Sequence, residues 1–363
     1  MKVLVVTGAS GGHIFPALSF IDTLKSEHKD SDILLVLPKK SIKTKVVPDI
    51  CALKFISVAN IRFSFDLKNL NAILNLIKGS LESFILLLEF KPDIVAGFGS
   101  LNSVPLLLLA WLLRMKTIIH EQNVIPGRAN SLLSKFSDRV AISFAQTKDY
   151  LAVSRDRLVI TGNPIRKELK KIDKQEALNF FGFEENLFNI LVMGGSQGSQ
   201  KINEYFMNAI SAVADKAKLQ VIHLAGAKDL DTLDKGYKAL KIKSRLFTFL
   251  DKMQYAYSIA DLAITRAGAT TITELIAFSI PAIIIPYPFA YEHQRENAFL
   301  LEREGCCIVI DDAKLGPGIL KQKIEAFLRD PGKPEGMRLK YSKFLKNNAS
   351  EALVNTVFSL AAS

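Results

Sequence analysis

The chain has 363 residues, 49% hydrophobic and 23% charged, enough for two domains of ordinary size and too apolar for a small module or a disordered tail. Its three cysteines, Cys51, Cys306 and Cys307, form no C-x-x-C and no paired set, which argues against structural zinc or a disulfide scaffold and for a reducing cytosol. A net charge of +11 favours anionic partners; without an RNP-like, KH-like or helix-turn-helix signature, phosphorylated small molecules or an acidic membrane face are expected, and nucleic acid is not.

Lys2 to Val6 reads as a first strand, its apolar run too short for the core of a signal peptide. It enters the turn Gly8-Ala9-Ser10-Gly11-Gly12-His13 and then a helix. Ile33 to Leu37, Asp93 to Gly97, Thr117 to His120, Arg139 to Ser143 and Leu158 to Thr161 follow as short strands between helical stretches, the rhythm of a parallel sheet. The longest apolar stretch, Val104 to Leu113, has about half the ~20 residues that a spanning helix needs. The segment Leu106 to Lys116 reads either as a buried helix or as one that sets Trp111, Arg114 and Lys116 at a bilayer surface, beside the apolar residues and lysine between Ile73 and Phe90.

After a lysine-rich, helix-prone stretch from Arg166 to Phe181, the rhythm restarts with Asn189 to Met193, Gln220 to Leu224, Leu262 to Thr265 and Ala282 to Ile285. The second half also opens on a strand and a glycine turn, Gly194-Gly195-Ser196-Gln197-Gly198. An α/β chain of two Rossmann-like, doubly wound domains facing a crevice is expected, with ligands at the carboxyl ends of the strands. Residues 347 to 362 form a last helix that periodicity assigns to neither domain.

Each glycine turn lets the backbone approach a phosphate at a helix N-terminus, or serves only the sterics of a tight turn. The first also resembles the opening of a short-chain dehydrogenase, but Ile14 stands in place of the third glycine. The second strand runs into Leu37-Pro38-Lys39-Lys40 without the acidic residue for an NAD ribose, and the only Tyr-x-x-x-Lys pair, Tyr237 with Lys241, falls in the other half. His13, at the start of the first helix, is a candidate general base or a packing histidine. Glu121, Gln122 and Asn123 follow a strand and suit a polyhydroxylated substrate, as would ordinary loop polarity. Glu274 either accepts ribose hydroxyls or closes the capping box Thr271-Ile272-Thr273-Glu274. His293-Gln294-Arg295-Glu296-Asn297 opens a helix in a position to bond sugar hydroxyls. Asp30-Ser31-Asp32 and Asp229-Leu230-Asp231 have the letters of a metal-binding Asp-x-Asp, yet neither follows a strand, so no obligatory metal is expected.

Gly8 to His13, Gly97-Phe98-Gly99, His120-Glu121-Gln122-Asn123, Gly162-Asn163-Pro164-Ile165-Arg166, Gly194 to Gly198, Arg266-Ala267-Gly268-Ala269, Glu274, His293-Gln294 and Asn297-Ala298 together resemble the MurG family, in order and over nearly the whole chain. The resemblance implies a GT-B glycosyltransferase that moves N-acetylglucosamine (GlcNAc) from UDP-GlcNAc to the C4 hydroxyl of the muramoyl sugar of lipid I, inverting the anomeric carbon and making lipid II. A related glycolipid transferase and a UDP-GlcNAc 2-epimerase are the alternatives on this fold. It implies no cofactor and a peripheral place on the anionic cytoplasmic face of the plasma membrane. It divides the chain into an acceptor-binding, membrane-associating domain at 1–164, a donor domain at 165–343 and a C-terminal helix at 344–363 that returns to the first domain.

Carried over residue by residue, His13 and Glu121 match catalytic positions, and Ser10, Gly11, Gly12, His13, Gly99 and Asn123 match acceptor positions. Donor positions fall on Arg166, Ser196, Asn203, Leu250, Arg266, Ala269, Thr270, Thr271, Glu274 and Gln294. Three departures stand out: Gly8-Ala9-Ser10 where Gly-Gly-Thr is usual, Ser100-Leu101-Asn102-Ser103-Val104 for a more glycine-rich loop, and Ala267 for a serine.

Overall fold

Two parallel sheets organise the chain. The computed structural model describes residues 1–39, 50–58, 68–195, 198–290, 292–344 and 348–363, the side chains of residues 68–73 apart. By proximity the chain forms two units, Met1–Arg166 with Asn347–Ser363, and Lys167–Lys346.

In the first unit the elements run β1 (Lys2–Val6), α1 (Gly11–Glu27), β2 (Asp32–Pro38), β3 (Ala52–Ile56), α2 (Lys68–Phe90), β4 (Ile94–Gly97), α3 (Val104–Leu112), β5 (Lys116–Glu121), α4 (Arg128–Leu133), β6 (Arg139–Ile142) and β7 (Leu158–Ile160). The sheet order is β3-β2-β1-β4-β5-β6-β7, with every neighbour parallel. Successive side chains of a strand point to opposite faces. Val3 and Val5 accordingly pack with Ile14, Phe20 and Leu24 of α1, and Leu4 and Val6 with Leu106, Leu107 and Ala110 of α3.

The second unit runs α5 (Lys174–Phe181), β8 (Phe188–Met193), α6 (Gln200–Ser211), β9 (Leu219–Leu224), α7 (Leu230–Ala239), β10 (Lys243–Phe247), α8 (Met253–Ile259), β11 (Leu262–Thr265), α9 (Ala269–Phe278), β12 (Ala282–Ile284), α10 (His293–Arg303), β13 (Cys307–Val309), α11 (Pro317–Arg329) and α12 (Gly332–Lys340). Its order, β10-β9-β8-β11-β12-β13, repeats the arrangement of the first sheet, again all parallel. In both units the strand order reverses direction beside the first strand, between β1 and β4 and between β8 and β11, which is where doubly wound sheets open to ligands.

The last helix, α13 (Ala349–Ala361), belongs to the first unit and lies along α1, burying Leu353, Val354, Val357 and Leu360 in the core that Val3 and Val5 begin. The alternation missed three strands: β3, β10 and β13. Each lies at an edge of its sheet, and in β3 and β10 charged residues interrupt the apolar ones. The helix-prone stretch from Arg166 shortens to α5 because Asp173 caps it, its carboxylate accepting the amides of Gln175 and Glu176.

α2 is turned against its own apolar stripe. Gly79 and Ser83 face the core; a Cβ on Gly79 would stand 2.2 Å from the Ser57 carbonyl, and Ser83 is fully buried. Leu74, Ile77, Leu81, Phe84, Ile85 and Leu88 are left in solvent. α3 adds Trp111, Leu112 and Leu113 to the exposed apolar residues, so the segment from Leu106 is buried on one side only. Among the described residues no helix is long and apolar enough to cross a membrane.

Candidate active site

His13 enters the first turn of α1 through the Gly8–Ser10 turn, where the Ser10 carbonyl accepts its amide. Glycines make the space for its ring. A Cβ on Gly99, whose φ is +82°, would lie 3.0 Å from both Nδ1 and Cε1, and one on Gly8 would lie 3.3 Å from Cδ2 and 2.6 Å from the Ser100 Cβ. The imidazole is thereby clamped between the turns after β1 and β4, and it remains half-buried. Ser10 makes no side-chain cap, while Gly11 and Gly12 open the helix.

A chain of bonds leads back from the ring. His13 Nδ1 lies 3.2 Å from the Gln122 Oε1, and the Gln122 Nε2 donates to the carbonyls of Phe98 (3.3 Å) and His120 (3.1 Å). It also lies 3.2 Å from the His120 Nδ1, while the His120 Nε2 reaches the Gly162 carbonyl at 2.9 Å. Burial pushes the His120 pKa down to about 4, against the Gly162 bond, which favours the charged form.

Glu121, expected at a catalytic position, ends β5. It is 1% exposed, and its two oxygens accept from the Asn123 amide and side chain, the Gly127 amide and the Asn130 side chain. These bonds tie the 123–130 loop to β5. Asn123 beside it is half-buried and spends part of its side-chain amide on Glu121. Arg166 closes the first unit with its guanidinium 5.0 Å from the Phe15 ring centre and its Nε buried without a protein partner.

The second switch point is built differently. Ser196 lies outside the described residues; the flanking Gly194 and Gly198 leave no room for side chains, since a Cβ would come within 2.2 Å of the Ser199 amide or 2.5 Å of the Ala225 carbonyl. Arg266, expected on the donor side, is bonded within its unit: its guanidinium donates to the carbonyls of Ile285 and Pro286, to Asp312 (2.6 Å) and to the hydroxyl of Ser199, which caps α6. Lys201 holds the other oxygen of Asp312. Burial alone would raise the Asp312 carboxyl, but hydrogen bonds from Lys201 and Arg266 outweigh it and hold the pKa below the usual value. This lattice joins the glycine turn to the ends of β11 and β12.

Asn203, also expected on the donor side, is buried. Its Nδ2 donates to the Ala225 carbonyl and Asp229, and its Oδ1 accepts from the Nε2 of the buried His223, so the amide is spent inside the unit. Gln294 grips the turn after β11, its Oε1 accepting the amides of Ala267 and Tyr287, and Asn297 takes the Ala267 carbonyl. Ala267 itself is fully buried.

α9 starts at Ala269 with Gly268 as its cap residue, so the amides of Ala269, Thr270 and Thr271 form its first turn, and the Thr270 Oγ1 is buried without a partner. Thr271 is therefore inside the helix and the capping box does not form. Glu274 instead accepts the Tyr257 hydroxyl at 2.6 Å on Oε2. Leu250 is buried just beyond β10, on the carboxyl side of the sheet with the other candidates. Sequence reading missed Tyr257, Asp312, Lys201, Ser199 and Asn130; their partners lie 9 to 111 positions away, so no local pattern announces them.

The model of the glycosyltransferase family 28 N-terminal domain matches residues 3–142 and that of its C-terminal domain residues 189–353. A protein of Thermodesulfovibrio yellowstonii named UDP-N-acetylglucosamine--N-acetylmuramyl-(pentapeptide) pyrophosphoryl-undecaprenol N-acetylglucosamine transferase is 37% identical, over 99% of both chains. One of the same name from Halothermothrix orenii is 36% identical over 98% of both. The crystal structure of Acinetobacter baumannii MurG shares the fold, with a TM-score of 0.77 and 24% identity over 99% of this chain and 100% of that one.

Proposed function

The chain belongs to glycosyltransferase family 28, among the MurG transferases, and from that premise we propose that it transfers GlcNAc from UDP-GlcNAc to the C4 hydroxyl of the muramoyl sugar of lipid I. The likeness to the named transferases over nearly the full length carries this reading.

In the proposed reaction the C4 hydroxyl attacks the anomeric carbon of GlcNAc as its bond to the UDP oxygen breaks on the opposite face, which inverts the centre to a β-1,4 link. His13 takes the hydroxyl proton. Negative charge builds on the departing diphosphate, where the first-turn amides of α9 and the dipole behind them stabilise it, with Arg166 as a further cation. Glu274 accepts the ribose hydroxyls and Gln294 presents its amide donors to the sugar. The N-terminus of α1, opened by Gly11 and Gly12, suits the acceptor diphosphate. Residues 1–164 are read as the acceptor side and 165–343 as the donor side.

The exposed stripe of α2 with Trp111 and Leu112 supports peripheral attachment to an anionic membrane, with the net charge of +11 adding electrostatic attraction. Leu81→Glu should sharply reduce sedimentation with anionic vesicles while transfer to a water-soluble acceptor persists; unchanged sedimentation would move the contact elsewhere.

Labelled UDP-GlcNAc incubated in EDTA with a lipid I analogue tests the main reading. A disaccharide-lipid product that requires the analogue is expected. Conversion of the donor to its C2 epimer without the analogue would replace transfer by epimerisation.

A further inference from the structure

A neutral imidazole has one basic nitrogen, and which one it is depends on the bond made by the other. We propose that Gln122, backed by His120, is a positioning residue that fixes His13 as the Nδ1–H tautomer and so makes Nε2 the basic atom; this rests on reading His13 as the base.

The polarity of the chain follows from its fixed ends. The Gly162 carbonyl can only accept, so the His120 Nε2 bonded to it carries a hydrogen. Burial keeps His120 neutral, which leaves its Nδ1 as an acceptor. The end of Gln122 that meets this Nδ1 also meets the carbonyls of Phe98 and His120, and a group facing acceptors only must be the NH2. The other end is therefore the carbonyl oxygen, and the His13 Nδ1 facing it donates. Gln122 is 1% exposed and pinned on three sides, so it cannot flip to serve the other tautomer without setting donors against donors. Gly99 closes on the Nδ1 edge of the ring, which holds His13 against this partner. Unrestrained imidazole favours the Nε2–H form, which would point a hydrogen, and no lone pair, from Nε2.

The protein has five histidines, so the full-length enzyme with 15N-labelled histidine gives a resolvable set of imidazole signals. The tautomer of each is read from its two nitrogen shifts at alkaline pH, and His13 is assigned by its loss in His13→Gln. His120 and His223 are internal references: both should be Nε2–H, since the His223 Nε2 faces the Asn203 oxygen. His13 is expected as Nδ1–H. In Gln122→Met, which keeps the length and removes the acceptor, His13 should shift toward Nε2–H. Its kcat should fall about tenfold to a hundredfold, with the KM for UDP-GlcNAc little changed. A wild-type His13 in the Nε2–H form, or a Gln122→Met enzyme that keeps both the Nδ1–H form and its kcat, overturns the proposal; the wild-type spectrum decides even if the variant does not fold. A tautomer that shifts without a change in kcat overturns the positioning role and removes His13 as the base. Absence of any transfer by the wild-type enzyme, with His13 still Nδ1–H, would count against the proposed function alone.

Discussion

The two switch points share a strand order and a glycine turn, yet the side chains behind the turns differ in kind. Behind β1 and β4 the partners of His13 are neutral, hydrogen bonds running through the Gln122 amide to the His120 imidazole and the Gly162 carbonyl. Behind β8 and β11 they are ions, with Asp312 held between Arg266 and Lys201. A neutral chain can direct a lone pair without placing a charge beside it. An ionic lattice instead fixes backbone, and here it ties the glycine turn after β8 to the ends of β11 and β12. The same topology thus frames both turns, and the buried polar residues behind them make the difference.

Breaking the lattice should have the largest effect. Arg266→Met strands part of a buried ion pair and loosens the Ser199 cap, and should lower stability by about 3 kcal/mol in denaturant unfolding, with weaker donor binding. Intact stability would mean that Lys201 alone satisfies Asp312. Because the folded carboxyl of Asp312 lies below its unfolded value of about 4, its contribution is present above that pH and is lost as the pH falls through the folded pKa. Acid unfolding of Asp312→Asn should accordingly lack this component.

On the neutral side, His13→Ala should cut kcat about a hundredfold or more and leave UDP-GlcNAc affinity nearly constant. Near-normal turnover would remove the contrast between the two sites. Glu274→Ala should weaken UDP-GlcNAc by about 1.5 to 3 kcal/mol in calorimetry, with Glu274→Gln recovering part because it still accepts from Tyr257. Equal affinity in all three proteins would place the ribose elsewhere.

The smallest effect is on the loop after β4. Ser100 sits at φ +75°, a region that favours glycine, opposite Gly8. Ser100→Gly should raise stability by about 0.5 to 1 kcal/mol in thermal unfolding, net of the added freedom of the unfolded chain. A loss would show that the Ser100 hydroxyl, which accepts weakly from the Asn102 amide, outweighs the strain.

Buried strands were legible because continuous apolar runs such as Val3 to Val6 have few other uses, and the glycine turns followed from where those runs stopped. Three of the edge strands were not: Lys243–Phe247, for one, mixes charge with apolar residues because much of it is only half-buried. The orientation of α2 was hidden for the opposite reason. A bulky apolar stripe ordinarily marks the inward face, but close packing against Ser57 puts Gly79 and Ser83 there, and among the described residues Leu87 is the large side chain of α2 that is fully buried. At the sites, positions could be read and duties could not. Glu121 and Asn203 stand at the expected places, but their bonds to Asn130 and His223 join positions that no local pattern links.

The placement of α13 has a consequence for synthesis. Residues 167–346, a complete unit, are inserted between β7 and the helix that finishes the core of the first unit. On the ribosome the first unit must wait, with part of the apolar surface of α1 and β1 uncovered, while its neighbour emerges and is free to fold. The domain that begins first is completed second, and the interval is when a holdase would find most to bind.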